Sequence, residues 1–234
     1  MKRIYLMIVA GIIGMSVSAQ GLMIGGKFGP SVASFSKSGY DAKLSMHIGA
    51  FGVYKITDMF SAQVELNYEN KGSRTYYGWG YDPGVYHGNI SSYYKYAKLR
   101  LSYLTLPMLA RADFNIGSDR IGVYALAGPY FGFLLGAAFD GSSEIATVEY
   151  RFNPNTFAYE EIISGDHKVK DDFKGFDFGF SFGGGATYEF MEGLKGLAEL
   201  RLNPGFLNVS AGDYSKANNF TFNISVGVLY DLGR

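Results

Sequence analysis

The sequence predicts an all-β protein, an eight-stranded antiparallel up-and-down β-barrel that crosses a membrane with its strands. Three observations lead to this prediction. Apolar and polar residues alternate along most segments, the connections between segments alternate between short and long, and the polar side of the alternation is rich in glycine and small residues. A period of two places successive side chains on opposite faces of a strand.

The stretch FSAQVELNYENKG at 60–72 shows the alternation most clearly. Val64, Leu66 and Tyr68 share one face, and Gln63 and Glu65 share the other. In a soluble sandwich the apolar face packs on a core, whereas in a membrane barrel it faces lipid and the polar face lines the lumen. This strand alone leaves both alternatives open, and the other segments favour the membrane barrel.

Residues 1–19 have the layout of a secretory signal peptide. The basic pair Lys2-Arg3 precedes an apolar run at 4–15, and Val17-Ser18-Ala19 supplies the small residues of a cleavage site. The run is short for a spanning helix, which needs about 20 residues. No cysteine follows the predicted cleavage site, which excludes a lipoprotein. We therefore expect residues 20–234 to form one barrel domain.

Composition narrows the function classes. The chain has 21 basic and 21 acidic residues, and this balance argues against a nucleic-acid partner. The absence of cysteine excludes disulfides and thiolate metal sites. The 32 glycines, 19 tyrosines and 19 phenylalanines suit tightly bent strands with aromatic girdles at the membrane interfaces.

Strand-like segments follow one another along the whole predicted domain. They are 22–35, 43–57, 59–71, 96–114, 120–139, 173–190, 195–209 and 219–232. The second, fourth and sixth connections are short, whereas the first, third, fifth and seventh are longer. Transmembrane barrels have this asymmetry, with short turns at one end and longer loops at the other.

The later segments repeat the alternation of large apolar and small polar residues. In 173–190, Phe176, Phe178 and Phe180 alternate with Asp177 and Gly179. The seventh and eighth segments alternate in the same way. Small inward residues suit an eight-stranded barrel, whose interior is just wide enough to be filled by side chains.

Two segments break the pattern. In 96–114, Leu101 and Tyr103 have the opposite parity to Leu104 and Leu106, so we predict a β-bulge near Tyr103-Leu104, and Pro107 supports a local irregularity. Segment 121–139 is uncharged and long enough for a membrane helix. Its glycines and proline favour a strand instead, but its two faces cannot be assigned.

The inward polar faces predict a network of charged side chains in the lumen. Its members are Glu65, Glu69, Lys98, Arg100, Asp177, Glu189, Glu199 and Arg201, joined by Arg111 and Asp113 if the bulge forms. Unpaired charges are costly in a narrow interior, so we expect ion pairs. A symmetric loop at 72–95 would place Glu69 opposite Lys98 and Glu65 diagonal to Arg100. The network either fills the barrel, which we favour, or lines a small gated pore.

The connections carry the other candidate sites. An aromatic patch of Tyr76, Tyr77, Trp79 and Tyr81 either stacks on a glycan or partner or belongs to a membrane-interface girdle. Asp166-His167 with Asp171-Asp172 could hold a divalent cation, but we favour a solvated charged loop and predict no metal or cofactor.

The three histidines are the candidates for catalytic groups. His47 is predicted to face the lumen, whereas His87 and His167 lie in long connections. Catalysis needs a nucleophile or base held by an orienting partner, and no such spacing is evident. We therefore predict no catalytic residues.

Several stretches together resemble the PorT-like outer-membrane β-barrel proteins of Bacteroidota. They are GLMIGGKFGPSVA, FGVYKITDMFSAQVELNYENKG, LRLSYLTLPMLAR, GVYALAGPYFGFLLG, DFGFSFGGGATYEF and LRLNPGFLNVS. The resemblance implies an eight-stranded barrel in the cell outer membrane with both termini periplasmic, and one member is associated with a secretion system. Two departures are Thr105, where the family often has an acidic residue, and a chain end without a terminal aromatic residue.

Taken together, the sequence predicts a non-enzymatic scaffold or interaction protein of the outer membrane. Its expected surroundings are outer-membrane lipid and an outer-membrane or periplasmic protein partner, with PorT-type secretion as the named candidate process. The alternatives are an enzyme that modifies outer-membrane lipid and a small gated pore.

Overall fold

In a computed structural model the chain forms a closed antiparallel barrel. The structure describes residues 21–36, 41–78, 94–116, 120–139, 144–153, 158–211 and 216–233. The predicted signal peptide lies outside these residues.

Strands account for nearly all of the described chain. They are β1 Leu22–Phe35, β2 Lys43–Lys55, β3 Phe60–Lys71, β4 Arg74–Gly78, β5 Tyr94–Asn115, β6 Ile121–Phe139, β7 Glu144–Asn153, β8 Ala158–Lys168, β9 Phe176–Met191, β10 Leu194–Pro204 and β11 Asn219–Asp231. One turn of 3₁₀ helix spans Val169–Asp172. Within the described residues, no helix has the length and hydropathy needed to span a membrane.

Eight of these strands form the barrel wall, which confirms the predicted fold class. The order around the wall is β1-β2-β3-β5-β6-β9-β10-β11, and the pairing of β11 with β1 closes the ring. β4 continues β3 in the same register, because Lys71 faces Leu101 and Arg74 faces Lys98. Gly72, with a φ of +108°, makes the break between them. Among the described strands, β7 and β8 pair only with each other and form a separate hairpin.

The polar faces of the strands line the lumen and the apolar faces lie outside. In β3, Gln63 and Glu65 are each 1% exposed, whereas Val64 is 46% and Leu66 is 52% exposed. β9, β10 and β11 alternate in the same way. An outer apolar surface on a closed barrel is the arrangement of a transmembrane barrel.

The bulge predicted in the β5 segment lies on the neighbouring strand β6. The β5–β6 pairing does shift between Ser102 and Tyr103, so the predicted irregularity is confirmed to within one residue. Its assignment to β5 is wrong, because every second residue from Leu99 to Arg111 is buried without interruption. The register shift lies instead on the β6 side, where Leu135 is the extra residue between the Tyr103–Leu134 and Ser102–Gly136 pairs. β5 changes its apolar parity because its first half points inward to an apolar cluster.

This apolar cluster, which we call the mouth cluster, fills the lumen at the end where the long connections lie. Its buried members are Phe35, Leu99, Leu101, Tyr103, Leu134, Ala137, Val169, Val209 and Ala217. They come from β1, β5, β6, the 3₁₀ turn and the β10–β11 connection. The barrel therefore has a dry core at this end and a polar lumen below it.

Segment 121–139 is strand β6, which confirms the strand prediction. Its inner face carries Tyr124, Leu126, Tyr130 and Leu134, all of them 6% exposed or less. Both faces are thus apolar, which explains why the sequence did not reveal which side is inside.

Candidate functional site in the barrel lumen

Four charged side chains meet in the middle of the lumen, and we call them the lumen quartet. Lys27 Nζ lies 2.9 Å from Glu65 Oε1 and 2.9 Å from Glu199 Oε1. Arg201 places Nη1 2.7 Å from Glu65 Oε2 and Nη2 2.8 Å from Glu199 Oε1. All four side chains are 3% exposed or less. Two cations and two anions make the quartet neutral, as a charged group in a low-dielectric interior requires.

Neighbouring polar side chains satisfy the remaining carboxylate lone pairs. Asn67 Nδ2 donates to Glu65 Oε2 at 2.9 Å, and Gln63 Nε2 donates to Glu65 Oε1. The Tyr124 hydroxyl donates to Glu199 Oε2 at 3.0 Å. The quartet is therefore part of a larger hydrogen-bonded network, which holds each carboxylate in one orientation.

The network continues toward the short-turn end through Arg111. Arg111 Nε donates to Asp113 Oδ1 at 2.8 Å and Nη1 donates to Gln63 Oε1 at 3.1 Å. The guanidinium also lies 3.7 Å from the centre of the Tyr124 ring, within range of a cation–π contact. Below it a polar cavity of about 230 Å³ opens between the short turns, lined by residues including Arg120 and Glu189.

A second charged group lies between the quartet and the mouth cluster. Asp177 is fully buried, and its Oδ2 accepts from Lys71 Nζ at 3.0 Å, Asn219 Nδ2 at 2.9 Å and the Tyr130 hydroxyl at 3.2 Å. Lys71 Nζ also lies 4.1 Å from the Tyr130 ring centre and 3.9 Å from Glu69 Oε2. This group cross-links β3, β6, β9 and β11 through the lumen.

His47 and Ser225 form a pair on the inner wall. His47 Nε2 lies 2.8 Å from Ser225 Oγ, and both residues are 3% exposed or less. His47 Nδ1 is buried without a hydrogen-bond partner among the described residues. A catalytic histidine needs a group that orients its second nitrogen, so the pair lacks one part of that arrangement.

The structure places most of the sequence-predicted charges inside the barrel. Glu65, Glu69, Arg111, Asp177, Glu199 and Arg201 are buried in the lumen, whereas Asp113 and Glu189 are half-buried near the short turns. Lys98 and Arg100 are a wrong prediction, because they are exposed on the outer face and alternate with the buried Leu99 and Leu101.

The predicted pairing of these charges is also wrong. Glu69 lies opposite Tyr103 rather than Lys98, because the strand continues into β4 and the loop is not symmetric about 72–95. Sequence reasoning missed Lys27 and Ser225, although both share the inward parity of their strands. Glycines on both faces of β1 hide the alternation that would have revealed Lys27.

Two other predicted sites, the aromatic patch and the candidate cation site, lie wholly or partly beyond the described side chains. Trp79, Tyr81 and His87 are outside the described residues, and Tyr76 and Tyr77 lie in β4 outside the described side chains. Asp166 and His167 lie in β8, and their side chains are likewise outside the described ones. Among the described side chains, no group of three or more acidic, histidine or cysteine residues is arranged to hold a metal ion.

The sequence matches the family described as outer membrane protein beta-barrel domain over residues 18–211. Among solved structures, Neisserial surface protein A superimposes with a TM-score of 0.51 at 14% identity, covering 91% of this chain and 97% of that one. OprG from Pseudomonas aeruginosa gives 0.48 at 9% identity, covering 91% and 96%. Ail of Yersinia pestis gives 0.43 at 9% identity, covering 90% and 99%. No curated protein sequence matches the chain.

Proposed function

Because this chain belongs to the outer membrane protein beta-barrel domain family, we propose that it is an integral outer-membrane scaffold without enzymatic or channel activity. The lumen quartet carries this proposal. Its four charges satisfy one another at 2.7–2.9 Å, so none of the four is left to bind a substrate or to line a charged pathway. A fold alone does not determine function, so the proposal rests on the chemistry of the lumen.

The filled lumen predicts that the protein does not conduct. Three layers block the axis in turn: the quartet, the Asp177 group and the mouth cluster. In planar bilayers we expect no stable single-channel steps from the purified protein. Reproducible steps that change in size when Arg201 is replaced by alanine would contradict this and favour the gated-pore alternative.

We propose that the long connections bind the partner. The β7–β8 hairpin makes no strand pairing with the wall, whereas β6 and β9 pair directly with each other from Ile121–Tyr188 to Phe133–Phe176. The hairpin is therefore an addition to a wall that is complete without it. By its resemblance to PorT-like proteins, a protein-secretion assembly is the first candidate partner.

Replacing residues 142–166 with a short Gly-Ser linker tests this proposal. The β6–β9 ladder and Val169 remain, so the barrel should still migrate as a heat-modifiable folded species on gels. After gentle detergent extraction from outer membranes, the full chain should migrate as a large complex and the linker variant as a smaller one. Mass spectrometry of the co-migrating proteins identifies the partner. A full chain that migrates as a lone monomer would contradict the scaffold proposal.

One observation favours a second candidate, an enzyme acting on outer-membrane lipid. The His47–Ser225 distance of 2.8 Å is that of a nucleophile and its general base. Their burial and the unpartnered His47 Nδ1 make this the weaker candidate. Altered outer-membrane lipid in a Ser225→Ala strain, with the barrel still folded, would favour the enzyme over the scaffold.

A further inference from the structure

The wall of the barrel has a gap between β2 and β3 near the long connections. Their ladder runs from Lys55–Ser61 to His47–Glu69 and stops there. It resumes only at Asp41 and Arg74, whose backbones exchange hydrogen bonds of 2.9 and 3.1 Å. Between these points five residues of one strand stand against four of the other, and no pairing joins them. A cleft of about 300 Å³ occupies the gap.

Three cationic side chains line this cleft: Lys43 from β2 and Lys98 and Arg100 from β5. Lys43 is only 5% exposed, which makes it a buried cation. Neither Lys43 nor Arg100 forms an ion pair with any described carboxylate. Arg100 is exposed beside the buried Lys43, and a buried cation next to a second cation is unfavourable unless an anion neutralises the pair. The cleft therefore has the charge and the donors of an anion site.

The surroundings of the cleft are those of a lipid headgroup rather than of open solvent. Leu44 and Met46 line the same cleft and are 72% and 54% exposed on the outer wall. On β5 the cations end the outward apolar series of Leu104, Leu106 and Met108. Lysine and arginine at the edge of an apolar belt reach the headgroup level of a bilayer.

We propose that this cleft binds the phosphate of a membrane-lipid headgroup. Arginine and lysine donate charge-assisted hydrogen bonds to phosphate oxygens, and arginine can do so with two parallel N–H groups. Ser45 and Asn70 add neutral polar groups to the lining. The acyl chains would then lie on the wall beside Leu44 and Met46. This site shares no residue with the lumen quartet or the Asp177 group and does not depend on the scaffold role.

Lipid retention tests the site with probes that differ only in the phosphate. The full chain is placed in phosphatidylcholine nanodiscs with a small share of phosphatidic acid or of diacylglycerol with the same acyl chains. Lipid that survives gentle delipidation is counted by native mass spectrometry, with and without millimolar inorganic phosphate as a competitor. We expect phosphatidic acid to be retained, diacylglycerol to be lost and inorganic phosphate to compete weakly.

Variants connect the retention to the cleft. Lys43→Gln with Arg100→Gln should lower the affinity for phosphatidic acid at least about tenfold, the scale of one lost charge-assisted hydrogen bond. Arg100→Gln alone should also lower the affinity for phosphatidic acid. Because Arg100 is exposed, this variant should still fold, so its loss of affinity reports on binding and not on folding. Lys170→Gln with Lys174→Gln removes two cations from the same end of the barrel and should leave retention unchanged.

Three results would overturn the proposal. One is equal retention of phosphatidic acid and diacylglycerol, and another is equal losses in the cleft variant and the control variant. The third is full displacement of phosphatidic acid by inorganic phosphate, which would assign the cleft to a free anion instead of a lipid.

Discussion

Replacing Arg201 with methionine should lower the free energy of unfolding of the barrel by about 3–5 kcal/mol, the cost of removing one partner from a buried ion pair. Arg201 binds Glu65 through two nitrogens at 2.7 and 2.8 Å and also contacts Glu199. Its loss leaves two carboxylates that share the single cation Lys27. Methionine retains much of the volume, so the change reports mainly on charge.

The measurement is urea unfolding in detergent micelles, followed by loss of the heat-modifiable band. Lys55→Met is the matched control, because Lys55 is an exposed cation of the same wall. It should change the free energy of unfolding by less than about 0.5 kcal/mol, as surface substitutions usually do. Equal losses in both variants would show that the quartet is not the source of the stability.

Introducing arginine at Leu66 should destabilise the protein in a bilayer by about 2–4 kcal/mol, because a cation on the lipid face is costly at the membrane midplane. Leu66 is 52% exposed and lies next to Glu65 in the middle of β3, so its side chain points away from the quartet into lipid. Refolding into phosphatidylcholine vesicles at several urea concentrations measures the loss.

Phe60→Arg is the control for the depth of the substituted residue in the bilayer. Phe60 begins the same strand and shares the same outer face, at 53% exposure, but it lies at the short-turn end. There the cost of arginine falls to about 0–1 kcal/mol. If Leu66→Arg costs no more than Phe60→Arg, the apolar face of β3 is not buried in lipid.

The predictability of each strand from sequence depended on what its inner face touches. β3, β9 and β11 face a polar lumen, so their alternation is clean and their bounds were predicted to within about three residues. β6 faces Glu199 through Tyr124 and the mouth cluster through Leu134, so it carries apolar residues on both faces. A period of two cannot reveal the side of a strand when both sides are apolar.

The sequence predicted which charged residues belong to the lumen better than it predicted which of them contact one another. Which charges point inward follows from local parity, and Glu65, Asp177 and Arg201 were found that way. Which charges meet depends on register across strands that are distant in sequence. β4 keeps the β3–β5 register past the break at Gly72, so the connection begins later than the sequence predicts and Glu69 lies opposite Tyr103 instead of Lys98.

The lumen quartet also constrains the order of events when the barrel assembles. Lys27 is separated from Glu65 by 38 residues and from Glu199 by 172. Contacts between such distant residues form late, because the entropy of closing a long loop must be overcome first. An open sheet holding only the first strands would leave Lys27 and Glu65 without Arg201. The pair from the first strands and the pair from β10 complete each other's contacts only when the ring closes, which makes this closure a cooperative, nearly all-or-none step.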